Sequence, residues 1–452
     1  MKQLPLMLLS IGMIVTANAQ NPVISGWLQN TTNITGRHYV TGNFTPIVDA
    51  VQANVQIVQY SASWVYVTTN GIPAYITGPF LDGNPSLATD QNAIFKFPLT
   101  PIQNTGTLTA TNAGNIGAFI NGVALFDYRD GVSYRVSDAT DHGGPIPGGP
   151  GDGIWNRDAV PAERVGFDCA KGHPAMGNYH HHQNPSAFNL DLIEYSNVCD
   201  LYAADGLYAI DSMVHSPLIG FAYDGFPIYG AYGYKNANGT GGIVRIKSSY
   251  SLRSISVRTH YADGTDVADG PNVNATYPLG HYREDYEYIV PSGGQEDYLD
   301  EHNGRFCITP EYPSGIYCYY ATVDANWNSA YPYVVGPTFY GVKVASIVGS
   351  IGESTITYVS TVSIEQNDLE DLNITVYPNP ASDLVAVQMP LITKADYNVE
   401  LFDMNGKMVQ KTILYQGSTI AYFDLRTIYE GEYVIVISNS IGRITKKLLV
   451  NK

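Results

Sequence analysis

Short runs of apolar and β-branched residues, separated by turn residues, make up most of the chain. Val55–Tyr60 and Trp64–Thr69 are two such runs, and Asn70-Gly71 follows the second as a tight-turn pair. We expect Ala74–Ile76 to be the return strand after this turn. Asn121-Gly122 lies between two further apolar runs and predicts a two-residue hairpin loop. This spacing indicates an all-β or β-dominated chain.

The amino-acid composition predicts a sizeable hydrophobic core and long ordered loops. Hydrophobic residues make up 44% of the 452 residues and charged residues only 14%. The chain has 35 Tyr, 44 Gly and 26 Pro, which favours strands joined by many turns. A chain of this length exceeds one ordinary domain, so two or three domains are expected.

The pattern changes after about residue 345, where a Ser/Thr-rich piece leads to a clearly alternating final block. The strand spacing in that block predicts a small immunoglobulin-like β-sandwich. The predicted segments are a signal peptide (1–19), a β-rich N-terminal part (20–110), a large β-rich central domain (111–348), a linker (349–369) and the C-terminal sandwich (370–452).

The N-terminus predicts export. Lys2 precedes a mostly apolar run from Leu4 to Val15, and Ala17-Asn18-Ala19 is a small-residue cleavage site. These features are typical of a secretory signal peptide. The run is too short for a good membrane span, and the sequence offers no other candidate for a transmembrane segment.

Net charge excludes one class of partner. Lys and Arg total 24 against 41 Asp and Glu, which leaves a net charge of -17. An acidic surface repels phosphate backbones, so nucleic acid is not an expected partner.

The four cysteines fit an oxidising destination. Three pairings are possible, and sequence proximity favours Cys169–Cys199 and Cys307–Cys318. An alternative for Cys169 is a thiolate metal ligand, because it lies four residues before His173.

Four of the ten histidines lie in one stretch, residues 172–185. In an extended segment, residues two apart point to the same side, so His180 and His182 face one way and His181 the other. A turn between Pro174 and Gly177 would bring His173 back toward this pair. Three converging neutral imidazoles suit zinc, copper or non-haem iron. We therefore predict His173, His180 and His182 as metal ligands and His181 as a supporting residue.

The ligand set leaves the metal and the chemistry open. Zinc would lower the pKa of a bound water and support hydrolysis, whereas copper would suit oxidative chemistry. The sequence has no His-Glu-x-x-His helix, no Gly-x-Ser-x-Gly elbow and no phosphate-binding glycine motif. A second interpretation is a polar turn whose histidines only form hydrogen bonds.

The histidine stretch resembles the YHYH-domain family, with His181 where the family motif has a second tyrosine. Further segments carry the same resemblance, and together they span about residues 115–340: Gly172–Pro174, Tyr179–His182, Ile219–Gly230, Tyr298–Phe306, Thr309–Pro313 and Tyr331–Tyr333. The family is defined by its motif rather than by an assigned reaction.

Three polar residues inside these motifs are candidate catalytic residues. Asp224 or Glu311 could orient a ligand imidazole or act as a general base, and His302 is the third candidate. A turn-forming role is the alternative for Asp224, and turn capping is the alternative for His302.

The tail resembles the C-terminal sorting domain of the type IX secretion system. The matching residues occur in the expected order: Val376–Pro380, Asn405–Lys407, Gly431–Tyr433 and Lys446–Lys452. The resemblance implies a bacterium of the Bacteroidota kind, recognition by the type IX machinery, passage across the outer membrane, and release or attachment at the cell surface. An ordinary immunoglobulin-like binding module is the alternative.

Two functions remain open at this point. The first is a secreted or surface protein that binds copper or zinc through the histidine cluster, with catalysis on an extracellular substrate undecided. The second is a non-catalytic surface binding or adhesion protein, for which Tyr- and Gly-rich β surfaces would suffice.

Overall fold

The computed structural model describes residues 21–83, 86–144, 148–344, 346–359, 374–389, 396–404, 406–415, 417–439 and 443–452. The predicted signal peptide, 1–19, and residues 360–369 of the predicted linker lie outside the described residues. The chain forms two compact units, which divide between Tyr358 and Val359.

Strands make up nearly all of the regular secondary structure of the first unit, in agreement with the β-dominated prediction. In chain order they are β1 Thr35–Val40, β2 Asn43–Gln52, β3 Val55–Tyr60, β4 Trp64–Thr69, β5 Ile76–Thr77, β6 Ala93–Pro98, β7 Asn115–Phe119, β8 Ala124–Phe126, β9 Arg129–Arg135, β10 Thr140–Gly143, β11 Asn156–Asp158, β12 His173–Ala175, β13 Asn178–His181, β14 Leu218–Ala222, β15 Pro227–Tyr229, β16 Tyr232–Tyr234, β17 Ile243–Arg245, β18 Tyr250–Leu252, β19 Tyr286–Tyr288, β20 Gly304–Cys307, β21 Ile316–Tyr320, β22 Ser346–Val348 and β23 Ile356–Tyr358.

Helices in this unit are short. They are α1 Pro22–Ser25, α2 Ala159–Glu163 and α3 Val198–Leu201, with 3-10 turns at Arg164–Gly166, Phe188–Leu190 and Arg283–Asp285. Asp158 caps α2, because its side chain accepts a hydrogen bond from the backbone N–H of Val160.

An eight-stranded mixed sheet forms the centre of the first unit. Its order is β12-β13-β8-β7-β14-β15-β21-β20, so a histidine-bearing hairpin forms one edge and a cysteine-bearing hairpin the other. The central strand β14 is buried at all five positions. Burial on both faces explains why β14 reads as a continuous apolar run rather than an alternating one.

A five-stranded sheet, β22-β6-β4-β3-β23, supplies the second large layer. The smaller sheets are β2-β1-β5, β10-β9-β11, β16-β17 and β18-β19. Buried residues of both large sheets belong to one apolar core, including Val67 and Phe97 of the second sheet and Phe119 and Phe221 of the first. This shared core makes residues up to Tyr358 one folding unit.

Several predicted segment boundaries differ from this arrangement. The predicted N-terminal part, 20–110, and the central domain share the core, and β22 pairs with β6. The predicted linker, 349–369, contains β23, which pairs with β3. Strands far apart in sequence complete the same sheet, and composition along the chain does not reveal such pairings.

The two predicted tight turns have different outcomes. Asn121-Gly122 joins β7 to β8 in an antiparallel hairpin, as predicted. The prediction for Asn70-Gly71 was wrong, because β4 pairs with β3 and β6. The expected return strand, β5, instead pairs in parallel with β1.

The second unit confirms the predicted sandwich. Its strands are β24 Thr375–Tyr377, β25 Leu384–Gln388, β26 Tyr397–Asp403, β27 Met408–Leu414, β28 Ile420–Asp424, β29 Gly431–Ser438 and β30 Arg443–Val450. They form the sheets β24-β25-β28 and β27-β26-β29-β30. A separate apolar core includes Val385 and Phe423 of one sheet and Leu401 and Ile435 of the other.

Tyrosine–aspartate pairs stabilise the long loops of the first unit. In each pair a tyrosine hydroxyl donates to a carboxylate that also accepts backbone N–H groups, and three of the four aspartates are buried while Asp300 is half-buried. The pairs are Tyr179–Asp168 (2.9 Å), Tyr333–Asp158 (2.7 Å), Tyr319–Asp224 (2.5 Å) and Tyr317–Asp300 (2.8 Å). These contacts give four of the 35 tyrosines a structural role, since a carboxylate removed from water must be hydrogen-bonded.

The cysteines follow one of the two predicted pairings. Cys169 and Cys199 form a disulfide that closes a separation of 30 residues. The prediction of a Cys307–Cys318 disulfide was wrong, because both are buried free thiols. In the register of β20 and β21, Cys307 lies opposite Ile316 and Cys318 opposite Arg305, which makes the cysteines diagonal rather than facing neighbours.

The disulfide is expected to stabilise the first unit. Replacing both Cys169 and Cys199 by Ala should lower the free energy of unfolding by about 3 kcal/mol, because the crosslink restricts the unfolded chain. Urea unfolding of the purified chain measures this difference. The matched control is Cys307→Ala/Cys318→Ala, which removes two buried thiols without removing a crosslink. Equal stability of the Cys169→Ala/Cys199→Ala variant and the parent would contradict the prediction.

The two thiols can be counted directly. Denatured, unreduced protein should incorporate two iodoacetamide groups, at Cys307 and Cys318, and four only after reduction. Peptide mass spectrometry locates the labels. Unlabelled Cys307 and Cys318 before reduction would mean that this pair oxidises in the exported protein.

Asp158 predicts a specific pH dependence. Burial raises the pKa of Asp158 to about 8, although the Tyr333 hydroxyl opposes the shift. The Asp158 carboxyl therefore keeps its proton to a higher pH in the folded state than in the unfolded state. Its contribution to the free energy of unfolding is full below about pH 4 and falls as the pH rises toward 8. Asp158→Asn keeps a capping side chain but does not titrate. Its stability relative to the parent should rise with pH, by up to about 1.4 kcal/mol per pH unit. Urea unfolding of the metal-free proteins from pH 5 to 8 tests this, and a constant difference would exclude the shift.

Candidate metal centre

The β12–β13 hairpin brings the predicted histidines together. Its turn residues, Met176 and Gly177, have φ of 48° and 85°, values that a tight hairpin turn requires. His173 lies directly opposite His180 in the register. The chain therefore returns as the sequence predicts, and the His173 and His180 ring centroids are 4.5 Å apart.

Hydrogen bonds set the orientation of two imidazoles. His180 Nδ1 lies 2.9 Å from the Asn178 carbonyl oxygen, and His182 Nδ1 lies 2.6 Å from the Asp127 carbonyl oxygen. A carbonyl only accepts, so both Nδ1 atoms carry the proton and donate it. In the neutral rings both Nε2 atoms then carry lone pairs, and these atoms lie 3.0 Å apart.

The third histidine and a carboxylate join the same point. His173 Nε2 lies 3.4 Å from His182 Nε2. Glu163 ends α2, and its Oε2 lies 3.2 Å from His173 Nε2 and 3.1 Å from His182 Nε2. His173, His180 and His182 are all buried, and 25% of the Glu163 side chain is exposed.

Electrostatics couple these four groups. Burial acts to raise the pKa of Glu163, but hydrogen bonds to His173 and His182 outweigh it and hold that pKa well below its usual range. Burial, with His182 and His173 nearby, holds the pKa of His180 well below its ordinary value. The pKa of His182 is raised, because Glu163 outweighs the effect of burial. The cluster is therefore suited to hold one positive charge beside Glu163.

Aromatic rings enclose the cluster. Phe126 stacks on His180 with ring centroids 3.8 Å apart, and Phe167 meets His173 edge-on at 5.0 Å. His181 points to the other side of the strand, where its Nε2 lies 2.7 Å from the Tyr75 hydroxyl. Burial lowers the pKa of His181 to about 3. This ring packs in the interior and supports the strand, in agreement with the predicted alternation.

The spacing of the four groups fits a small divalent ion. Zinc–nitrogen bonds are about 2.0–2.1 Å long, which places the corners of a tetrahedron about 3.3 Å apart. Four of the six pairs of ligand atoms among His173, His180, His182 and Glu163 lie 3.0 to 3.4 Å apart. The three histidines also offer ligand atoms that all lie within 4.8 Å of one another.

The candidate catalytic residues have other partners. Asp224 accepts hydrogen bonds from Tyr319 and the Gly341 backbone, and burial raises its pKa to about 6. Glu311 accepts from the Tyr229 hydroxyl, and His302 donates to the Thr338 carbonyl. Asp224 also accepts a hydrogen bond from the Phe226 backbone N–H, as a turn-forming aspartate does. The catalytic roles of all three residues stay predictions.

Glu163 is the site residue that sequence reasoning missed. It lies ten residues before His173, and its own neighbours in sequence carry no ligand pattern. The helix signal was present, since Asp158 is a strong N-cap residue at the start of α2. Only the packing of α2 places Glu163 at the histidines.

Comparison with known proteins identifies both units. The profile of the family described as "YHYH protein" matches residues 94–332, more than half of the chain. The profile described as "secretion system C-terminal sorting domain" matches residues 375–451. No curated protein matches the chain.

Two solved structures show weak similarity. One is a DUF3244-family protein with an immunoglobulin-like β-sandwich fold from Bacteroides vulgatus, at 18% identity and a TM-score of 0.16, covering 18% of this chain and 85% of that one. The other is dimeric latent PorU from Porphyromonas gingivalis, at 15% identity and a TM-score of 0.15, covering 25% of this chain and 11% of that one. At these TM-scores neither similarity supports an inference about this chain.

The sorting domain establishes the destination. It directs export by type IX secretion to the cell surface or the extracellular space. Within the described ranges, no helix has the length and apolar character needed to cross a membrane. The match over residues 94–332 places the chain in the YHYH protein family.

Proposed function

We propose that this exported YHYH protein binds one divalent transition-metal ion through His173, His180, His182 and Glu163. The observation that carries the proposal is the convergence of buried Nε2 atoms whose Nδ1 atoms are committed to carbonyl oxygens. Two lone pairs facing each other at 3.0 Å repel unless a cation or a proton lies between them. A carboxylate beside them adds a third electron-rich atom.

The donor set favours zinc or copper. Imidazole suits both ions. Three neutral imidazoles and one anionic carboxylate oxygen make up the four ligands. A bound ion of this kind would act as a Lewis acid, or, if copper, as a redox centre. Glu163 is the most exposed of the four groups, so it is the ligand that an incoming molecule would reach first.

The chain itself supplies the orientation. The carbonyl oxygens of Asn178 and Asp127 hold the rings of His180 and His182 in one tautomer, which is the usual role of residues behind a metal ligand. Phe126 and Phe167 limit ring rotation and keep water away from His180 and His173. Such rigidity lowers the entropy lost when the ion binds.

A metal-free alternative rests on one contact. Glu163 and a protonated His182 form an ion pair at 3.1 Å, which would satisfy part of the cluster without a metal. In that case the histidines serve only the fold, and the protein is a non-catalytic surface binding or adhesion protein.

Metal content separates the two functions. The chain, purified without a polyhistidine tag, should contain about one zinc or copper ion after reconstitution, by elemental mass spectrometry. His180→Ala/His182→Ala should lose it, because half of the ligands are gone. Glu163→Gln should keep the ion but bind at least tenfold more weakly in competition titrations, because a neutral amide replaces a charged ligand.

The matched control is His260→Ala, which removes an exposed histidine of the same unit and should leave metal content unchanged. Circular dichroism shows that each variant is folded. A folded parent that takes up neither zinc nor copper would exclude the proposed site and favour the ion-pair alternative.

A further inference from the structure

A cavity opens where α2 ends. It has a volume of 480 Å³ and lies between the turn that follows Glu163 and the segment that leads into α3. Small-molecule pockets typically have volumes of about 300–1,000 Å³. Its lining includes Leu81, Arg164, Val165, Glu194, Tyr195 and Asp200.

Arg164 presents a fixed cation to this cavity. Its guanidinium carbon lies 3.8 Å from the centre of the Tyr195 ring and 5.5 Å from that of Phe188. Burial lowers the pKa of Arg164, although nearby Tyr195 and Asp191 oppose this. Its Nε atom is buried and has no hydrogen-bond partner among the described residues. A ligand carboxylate would therefore pair with the two terminal nitrogens of this stacked guanidinium, which can donate two parallel hydrogen bonds.

Two carboxylates line the same cavity. Glu194 and Asp200 are both exposed. Burial, followed by the charges of Asp200 and Asp191, raises the pKa of Glu194. Crowded carboxylates of this kind favour a cationic group that lies between them. The cavity therefore offers one positive and one negative region.

The remaining wall is apolar. Leu81 is 38% exposed and Val165 is 67% exposed. Exposed apolar side chains beside charged groups would gain from contact with an apolar ligand group.

The covalent frame holds the two regions in place. Asp200 follows Cys199 in α3, and Cys199 is bonded to Cys169, in the loop that leads to His173. Arg164 directly follows Glu163. The positive and negative regions of the cavity thus lie on segments that the disulfide and the histidine cluster already fix.

We propose that this cavity binds a zwitterionic ligand of the amino-acid or short-peptide class. The ligand carboxylate pairs with Arg164, its ammonium group lies between Glu194 and Asp200, and an apolar side chain contacts Leu81 and Val165. This inference goes beyond the metal centre and holds whether or not a metal is bound.

Calorimetry with matched ligands tests the assignment. L-leucine and L-leucyl-L-leucine are titrated into the full chain, once treated with a chelator and once loaded with zinc. At least one should bind with a stoichiometry of one, and which binds more tightly distinguishes a free amino acid from a peptide. N-acetyl-L-leucine lacks the ammonium group and L-leucinamide lacks the carboxylate, so each should bind at least tenfold more weakly than L-leucine.

Two variants locate the site. Arg164→Gln should weaken binding of the preferred zwitterion at least tenfold, and Glu194→Gln should also weaken it. The control Arg135→Gln removes a half-buried arginine of the same unit, paired with Asp138, and should leave binding unchanged. If Arg164→Gln does not fold, Glu194→Gln and the two blocked analogues still decide the matter, because Glu194 is exposed.

The outcomes are distinct from those of the metal proposal. Binding of a zwitterion to chelator-treated protein supports the cavity even if no metal site exists. The inference is overturned if neither zwitterion binds, if the blocked analogues bind as tightly, or if both variants bind normally.

Discussion

Burying four electron-donating atoms at one point is the constraint around which the central part of this protein is built. Imidazole nitrogens and a carboxylate oxygen lose their hydration when they leave water, and they repel one another unless a positive charge joins them. The hairpin formed by β12 and β13, at the edge of the eight-stranded sheet, and the residue that follows it carry the three imidazoles that lose their hydration in this way. Pairing with β8, carbonyl contacts to His180 and His182, and the stacked Phe126 ring hold the groups together.

Helix α2 connects the histidine cluster to the neighbouring loops. Asp158 begins the helix and is itself bonded by Tyr333, and Glu163 ends it at the histidines. Arg164, the first residue of the 3-10 turn that follows, lines the neighbouring cavity. The helix and this turn together therefore contribute to two neighbouring chemical environments, and a change in the capping of α2 would reach both.

Several tyrosines stabilise the fold, which their abundance alone does not indicate. Next to a copper site they could serve as redox neighbours, but four of them donate to aspartates that order loops. Asp224 belongs to this group, since it accepts the Tyr319 hydroxyl. In this chain, residues inside the family motifs thus include supports of the fold as well as members of the candidate site.

The sequence by itself determined the β-dominated class, the C-terminal sandwich and the alternation that separates His181 from His180 and His182. These features depend on local rules: side chains alternate along a strand, and Gly and Pro mark turns. The same rules predicted the return of His173, because turn residues lie between it and the pair.

Only the tertiary structure decided which distant segments meet. Glu163 reaches the histidines through the packing of α2, and β23 completes a sheet that begins some three hundred residues earlier, at β3. Register decided that Cys307 and Cys318 are diagonal neighbours and not a disulfide. Such contacts depend on the burial of a shared core, a property of the whole chain that no local pattern of residues encodes.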